Sequence, residues 1–255
     1  MFLHDNNLNS ILFQKIRMVN DKNPKLEGIN IIDCIPQTGD CPVGCLECYY
    51  NGPHFFRTKK EPLIPTPEEA KGKIVRMNSG HDSNIKRELV IETAKKYERA
   101  FFNTSIPRFD FPGPVVYTCN GKPATGNALP DSKGNLEDNI DNLMFVRFRV
   151  NTWNLEEAQK VVDWYTGRNV PVVMTFMRYL KENNIPSEQR ANYKWSKSIV
   201  NEYFKIKPEI RAEIMSRFKN NPLVRQCGTI ESSLCKECNN CETLYLRFMQ
   251  TKQKS

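Results

Sequence analysis

The side chains best suited to chemistry in this chain are two groups of cysteines. The first lies in Gly39-Asp40-Cys41-Pro42-Val43-Gly44-Cys45-Leu46-Glu47-Cys48-Tyr49-Tyr50, where Cys41, Cys45 and Cys48 are spaced C-x3-C-x2-C. Three thiolates in one short loop can converge on a metal centre, and thiolates suit iron–sulfur clusters or zinc. A cubane cluster normally takes four cysteines. Three local ligands therefore leave one iron open to a small molecule. Pro42 and Gly44 fit a loop that folds tightly around such a centre. The second group is Cys227, Cys235, Cys238 and Cys241, spaced C-x7-C-x2-C-x2-C. Four thiolates can close a coordination shell, either as an auxiliary 4Fe–4S cluster with ferredoxin-like spacing or as a structural four-thiolate zinc site. Zinc sites more often pair two separated C-x2-C knuckles, which favours iron–sulfur.

Composition supports reading these cysteines as ligands. The chain has 255 residues and nine cysteines, seven of them in the two groups. Its polar start, Met1 to Ser10, lacks the layout of a signal peptide, and no apolar run reaches the length of a membrane span. A cytoplasmic location follows as the expectation, where thiols stay reduced. Cys34 and Cys119 read as small buried apolar groups; Cys119, on a strand bordering the lumen, also allows a hydrogen-donor role. The net charge of +8 fits an ordinary basic surface, a nucleotide or nucleic-acid substrate, or an acidic redox partner. No dense Lys/Arg block singles out nucleic acid.

The elements that must position the cysteines alternate in type. Residues 1–28 form a lead-in, with a short helix at Ile11 to Met18 and a break at Asn23-Pro24. Strands are predicted at Ile29 to Cys34, Lys73 to Asn78, Ala100 to Thr104, Val115 to Cys119, Leu143 to Asn151, Val170 to Met177 and Leu223 to Cys227. Thr66-Pro67-Glu68-Glu69 is a helix start with a capping box. Helices are predicted from Arg87 to about Glu98 and from Leu155 to about Tyr165, the latter capped by Asn154 and ended by Gly167. A long helical stretch is expected from Lys194 to Phe218, interrupted at Pro208. Such alternation argues for an α/β fold with parallel strands. Along the strand at 143–151, period two places Arg147, Arg149 and Asn151 on one face and Val146, Phe148 and Val150 on the other. The apolar face should meet helices and the polar face a lumen.

The three-cysteine loop after the first strand resembles the hallmark of the radical S-adenosylmethionine (SAM) superfamily. The resemblance implies a partial (β/α)6 barrel over residues 29–226, followed by a short cysteine-rich C-terminal extension, 227–255. It implies a 4Fe–4S cluster on Cys41, Cys45 and Cys48 whose open iron binds SAM, and reductive cleavage of SAM to a 5′-deoxyadenosyl radical that abstracts hydrogen from a substrate. The residue before the third cysteine, usually aromatic in the family, is Glu47, and Tyr49 follows as the loop's SAM contact. Ser79-Gly80-His81-Asp82-Ser83 is similar to the family's Gly-Gly-Glu-like motif, with Gly80 and Asp82 as its retained glycine and acid; the alternative for Asp82 is an Asx turn or helix cap. Thr118-Cys119-Asn120-Gly121 is similar to a strand-end motif, which points to Asn120. Arg149 and Asn151 occupy the strand end where relatives bind the SAM carboxylate or ribose. Ser105, after Asn103 and Thr104, lies at a strand end where α/β folds bind ligands, or else forms a turn before Pro107. The family further implies a flavodoxin- or ferredoxin-type reductant and leaves open a small-molecule or nucleotide substrate. His54 and His81 read as hydrogen-bonded structural residues, with a catalytic proton role as the alternative, and Trp153, Trp164 and Trp195 as packing residues. The rival functions are a zinc-binding interaction module and an iron–sulfur electron-transfer protein.

Overall fold

The computed structural model describes residues 23–45, 47–48, 50, 59–119, 137–197 and 202–253. The helix expected at Ile11 to Met18, and the residues His54, Tyr49 and Asn120, lie outside them. Seven parallel strands form one sheet: β1 (Ile31–Cys34), β2 (Ile74–Met77), β3 (Ala100–Thr104), β4 (Val115–Cys119), β5 (Leu143–Val150), β6 (Val172–Phe176) and β10 (Val224–Gln226), adjacent in that order. Strand follows strand in space as in sequence, with β10 closing on β6. Both end strands of the prediction are shorter by a residue or two, within the usual uncertainty of element ends.

The crossover helices lie on one face. They are α1 (Pro67–Ala70), α2 (Arg87–Ala94), α3 (Leu155–Thr166) and α4 (Pro208–Ser216). Ala70, Val90, Ala94, Ala158, Val161, Val162 and Ile214 pack with Val75, Met77, Phe102, Val115, Val146, Phe148 and Val150 in the main core. The period-two reading of β5 holds here, since its apolar side chains meet the helices. The capping box at α1 also forms: the Thr66 hydroxyl accepts from the Glu69 N–H and the Glu69 carboxylate accepts from the Thr66 N–H. Between β3 and β4 an aromatic loop takes the place of a helix. Phe111 stacks on Phe102 with ring centroids 4.6 Å apart, and Phe109 tilts against Tyr117 at 5.1 Å.

The opposite face of the sheet is covered by the chain's end. After a single turn, α5 (Cys235–Cys238), helix α6 (Asn240–Lys252) lays Leu244 and Tyr245 on Ile31, Ile74, Phe101, Val116, Phe145 and Val173. Leu26 of the lead-in joins the same cluster. The segment expected as an extension is thus folded against the sheet.

Three local expectations need correction. The stretch from Lys194 to Phe218 is not one interrupted helix. It holds β8 (Tyr193–Lys197) and β9 (Glu202–Ile206), which with β7 (Arg178–Tyr179) form a three-stranded antiparallel sheet in the order β7-β9-β8, before α4 begins at Pro208. Tyr193, Trp195, Tyr203 and Phe204 favour strand, and Tyr193 and Ile206 alternate into a core with Tyr179, Met177 and Ile185. Asn154 does not cap α3 through its side chain. Its Oδ1 accepts from the Asn151 N–H and its Nδ2 donates to the Arg149 carbonyl, both at 2.9 Å, bracing the end of β5. Gly167 does end α3 as its C-cap, as expected, in a right-handed conformation; an added Cβ would lie 2.9 Å from the Asp163 carbonyl, and Asn169 takes a positive φ of 61°. Among the tryptophans, Trp195 is half exposed at 52%, so it is not a core residue, whereas Trp153 packs on Tyr179 and Tyr193. No helix among the described residues is long and apolar enough to cross a membrane.

Candidate functional site

The cysteine loop leaves β1 at the carboxyl edge of the sheet. Ile35 bridges to Leu63, and Gly39 donates to the Lys59 carbonyl at 3.0 Å. Gly44 takes a φ of 62°, a conformation glycine adopts without strain, and Glu47 follows at 51°. The Cys48 N–H closes a turn onto the Cys45 carbonyl at 3.2 Å. Tyr50, just after the third cysteine, is buried under the loop. Its hydroxyl donates to the Gly39 carbonyl at 3.0 Å, and its ring meets His81 edge-on at 5.7 Å. Sequence reasoning assigned this tyrosine no role; an aromatic beside a tight loop was the only signal.

Three strand ends converge on the loop. From β5, Arg149 is brought against Cys45 and Cys48, near enough for the charges to interact. Its Nε lies 3.0 Å from Met177 Sδ, and its Nη2 donates to the Glu47 carbonyl at 3.4 Å. Glu47 also accepts a bond from Asn184, which ties the cysteine loop to the turn before β8. From the end of β3, the Ser105 hydroxyl lies 3.9 Å from Cys45 Sγ. From the end of β2, Asp82 reaches under the loop. Its Oδ2 accepts from the Ser105 N–H at 2.6 Å, and its Oδ1 accepts from the Asn84 N–H and the Thr104 hydroxyl, both at 2.9 Å. The Asx turn weighed for Asp82 therefore forms. An ionised carboxylate has further lone pairs to offer, so an ammonium contact stays open to it. Burial raises its pKa despite these three bonds. Gly80 is buried in the same turn. His81 accepts the Asp82 N–H on Nδ1 at 3.0 Å, and burial lowers its pKa, as suits a structural histidine. Asn151 is buried, with Oδ1 accepting from the Trp153 N–H and Nδ2 near the Tyr179 hydroxyl at 3.4 Å, so both ends of its amide already have protein partners.

The second cysteine group stands against the non-helical face of the sheet. The Cys227 N–H extends the pairing of β10 by bonding to the Met174 carbonyl at 2.8 Å. Gly228 then turns with φ 69°, where any Cβ would sit 2.6 Å from the Ser232 carbonyl. Asn240 at the start of α6 donates to the Gln226 carbonyl at 2.6 Å, which holds the cysteine segment against β10. Cys235 and Cys241 pack on the apolar layer beneath α6. Cys227 is solvent-accessible. Lys25, Arg76 and Arg147 ring the group: Arg147 and Lys25 act on Cys227, and Arg76 and Arg147 on Cys241. A hydrogen bond from Cys238, then Arg147 and Lys25, lower the pKa of Cys227, while the same bond raises that of Cys238. Arg76 is also held by Asp33, through Nε to Oδ1 at 2.6 Å and Nη2 to Oδ2 at 3.1 Å.

Arg147 and Arg149 thus serve different groups. They are two residues apart on one face of β5, about 7 Å along a strand, and each meets its own set of thiols. Cys34 and Cys119 lie elsewhere. Both are buried on the helix side, and Cys119 bonds with the Tyr165 and Tyr117 hydroxyls, which removes it from the cysteine-lined face.

The donor sets fit soft metal centres. All nine cysteines are free thiols. Burial pushes Cys41 up to about 11 and raises Cys45, so a metal would have to displace their protons. Among the described residues, no three His, Cys, Asp or Glu side chains already stand in ligand geometry for one ion. The thiols within each group are close enough to act on one another. The strand ends also carry buried acceptors with no protein partner among the described residues: Asn78 Oδ1, Ser79 Oγ and Asn103 Oδ1.

These features define an α/β protein with a sequentially ordered parallel sheet, one thiol group at its carboxyl edge and a second against its non-helical face. Comparison with protein-family models, with curated proteins and with solved structures gives no match in any of the three.

Proposed function

We propose that this protein is a radical SAM enzyme in which Cys41, Cys45 and Cys48 hold a 4Fe–4S cluster. The observation that carries the reading is the C-x3-C-x2-C loop at the carboxyl edge of β1, with Arg149, Asp82 and Ser105 turned toward it. The sequential strand order, with its crossover helices on one face, supports a partial (β/α)6-type barrel. When bound and reduced, the cluster supplies one electron that splits SAM into methionine and a 5′-deoxyadenosyl radical able to take hydrogen from the substrate.

The chain's own part is binding, orientation and exclusion of water. Arg149 offers a guanidinium to the SAM carboxylate beside the cysteines. Asp82 positions Ser105 and keeps lone pairs for the SAM ammonium. Cys227, Cys235, Cys238 and Cys241 hold a second centre, a 4Fe–4S cluster in preference to zinc, and Lys25, Arg76 and Arg147 partly offset the burial that raises the Cys235 and Cys241 thiols and help lower that of Cys227. A flavodoxin- or ferredoxin-type protein would be the reductant.

Anaerobic reconstitution with iron and sulfide, followed by SAM and dithionite, is expected to yield 5′-deoxyadenosine and methionine. Zinc at both groups with no cleavage would turn the reading to an interaction module. Reversible redox without SAM binding would turn it to an electron-transfer protein. Arg149→Ala is expected to weaken SAM binding by roughly ten- to hundredfold, the loss of a charge-assisted bond worth about 1.5–3 kcal/mol. Arg147→Ala should have a smaller effect, because Arg147 faces the second group. Equal SAM affinity in wild type and Arg149→Ala, measured by equilibrium dialysis, rejects this placement.

A further inference from the structure

The small sheet carries a row of cations that the chemistry above does not use. Arg178 on β7 pairs with Lys205 on β9, and Lys205 pairs with Lys194 on β8. Directly opposed residues share a face, so the three side chains stand side by side over about 10 Å, two strand spacings. The other face of this sheet is apolar, with Tyr179, Tyr193 and Ile206 in its core. Arg211 continues the row from α4, close enough for its charge to act on both Lys205 and Arg178. None of the four forms an ion pair with a carboxylate among the described residues.

Like charges set directly opposite one another destabilise a sheet. The repulsion is felt at Lys205, whose pKa is lowered by burial and then by Lys194, Arg178 and Arg211. The two arginines are nevertheless held in place. Arg178 lies over the Tyr203 ring at 4.6 Å and Arg211 over Phe176 at 4.7 Å. Arg211 also donates from Nε to Gln226 Oε1 at 3.1 Å and from Nη2 to the Cys227 carbonyl at 3.0 Å. The row therefore runs from exposed Lys194 inward to the edge of the second cysteine group.

We infer that Arg178, Lys194, Lys205 and Arg211 form an anion site that binds adjacent phosphate groups of a small substrate, such as a nucleoside diphosphate. Guanidinium forks fixed on aromatic faces match phosphate oxygens bidentately, and lysines serve beside them as point charges. The row, about 10 Å across its three strands, can flank a diphosphate from several sides, whereas a protein partner would need a patch of about 800 Å² on each side. Its inner end reaches the Cys227 carbonyl through Arg211, so the rest of such a molecule would extend toward the second thiol group. Calling the occupant a substrate rests on the radical SAM reading; the anion site itself does not.

Calorimetric titration of the full-length protein with inorganic pyrophosphate, at fixed ionic strength, tests it. Saturable binding is expected, weakened at least tenfold in Arg178→Gln/Lys205→Gln. Lys197→Gln should bind as wild type, since Lys197 pairs with Glu202 at the far end of the sheet. Arg178→Lys, which keeps the charge and loses the fork, should bind several-fold more weakly, and it guards against misfolding of the double variant. A nucleoside diphosphate binding more tightly than pyrophosphate supports a nucleotide, and equal affinity supports recognition of the phosphates alone. No saturable pyrophosphate binding, or equal loss in Lys197→Gln, overturns the site. So does binding of a single-stranded oligonucleotide that pyrophosphate cannot displace. SAM affinity is measured on the same samples: retained SAM binding without pyrophosphate binding defeats this inference alone, and the converse defeats only the radical SAM reading.

Discussion

Replacing Cys41, Cys45 and Cys48 together by Ala is expected to abolish SAM cleavage and remove one metal centre while leaving the other. The three thiols share one loop with Arg149 and Ser105 around it, and no other cysteine stands there. The second group is anchored separately, by the pairing of Cys227 with Met174 and by the Asn240 bond to Gln226. Iron analysis and Mössbauer spectra of the triple variant should therefore show about four irons for an auxiliary cluster, or about one zinc and no iron for a structural four-thiolate site. Continued formation of 5′-deoxyadenosine with dithionite would defeat the assignment of the loop. Neither metal remaining at useful occupancy would defeat the second site.

Asp33→Ala is expected to destabilise the protein by about 3–5 kcal/mol, because it leaves the Arg76 guanidinium buried without its carboxylate. Both side chains are nearly inaccessible, 3% for Asp33 and 10% for Arg76, so solvent screens the pair little. Asn23 adds a third bond to the same carboxylate at 3.0 Å. Replacing both partners by apolar residues, Asp33→Leu with Arg76→Met, should recover most of the loss, since no charge is then stranded. Urea midpoints of the two variants measure this. A midpoint for Asp33→Ala close to wild type would mean that Arg76 is sufficiently neutralised by the cysteines it faces.

The parallel sheet was legible in the sequence because its signals are local. β3 and β4 are found where short apolar runs predict them, Ala100–Thr104 and Val115–Cys119. The Thr66 capping box needs only residues three apart, and it forms. The alternation along β5 assigned Val146, Phe148 and Val150 to the helix side correctly, since a strand's faces follow from backbone geometry alone. The region 194–206 misled because its mixed Lys, Glu and aromatic pattern fits a helix as well as strands. What decided it was pairing of β8 with β9 and the core made with Tyr179 and Ile185.

The cysteine spacing by itself determined that two groups of soft donors exist, three in one loop and four near the chain's end. Only the tertiary structure decided that one stands at the carboxyl edge of the sheet and the other against its non-helical face, with Arg149 and Arg147 of β5 reaching one each. Packing of Leu244 and Tyr245 over Ile74, Phe101 and Phe145 carries the C-terminal cysteines back across nearly the whole chain, and hydrophobic burial at such separation has no local sequence pattern. The same holds for the charges. The alternation along β5 put Arg147 and Arg149 on one polar face, but nothing in the sequence said which thiols each would meet, and Arg76 carried no signal at all. The fold places Arg149 beside Cys45 and Arg76 and Arg147 beside Cys241, because parallel pairing and the covering chain end bring β2, β5 and the cysteine segments together. The cation row of Arg178, Lys205 and Lys194 likewise depends on strand register, a property of pairs of strands that neither strand carries alone.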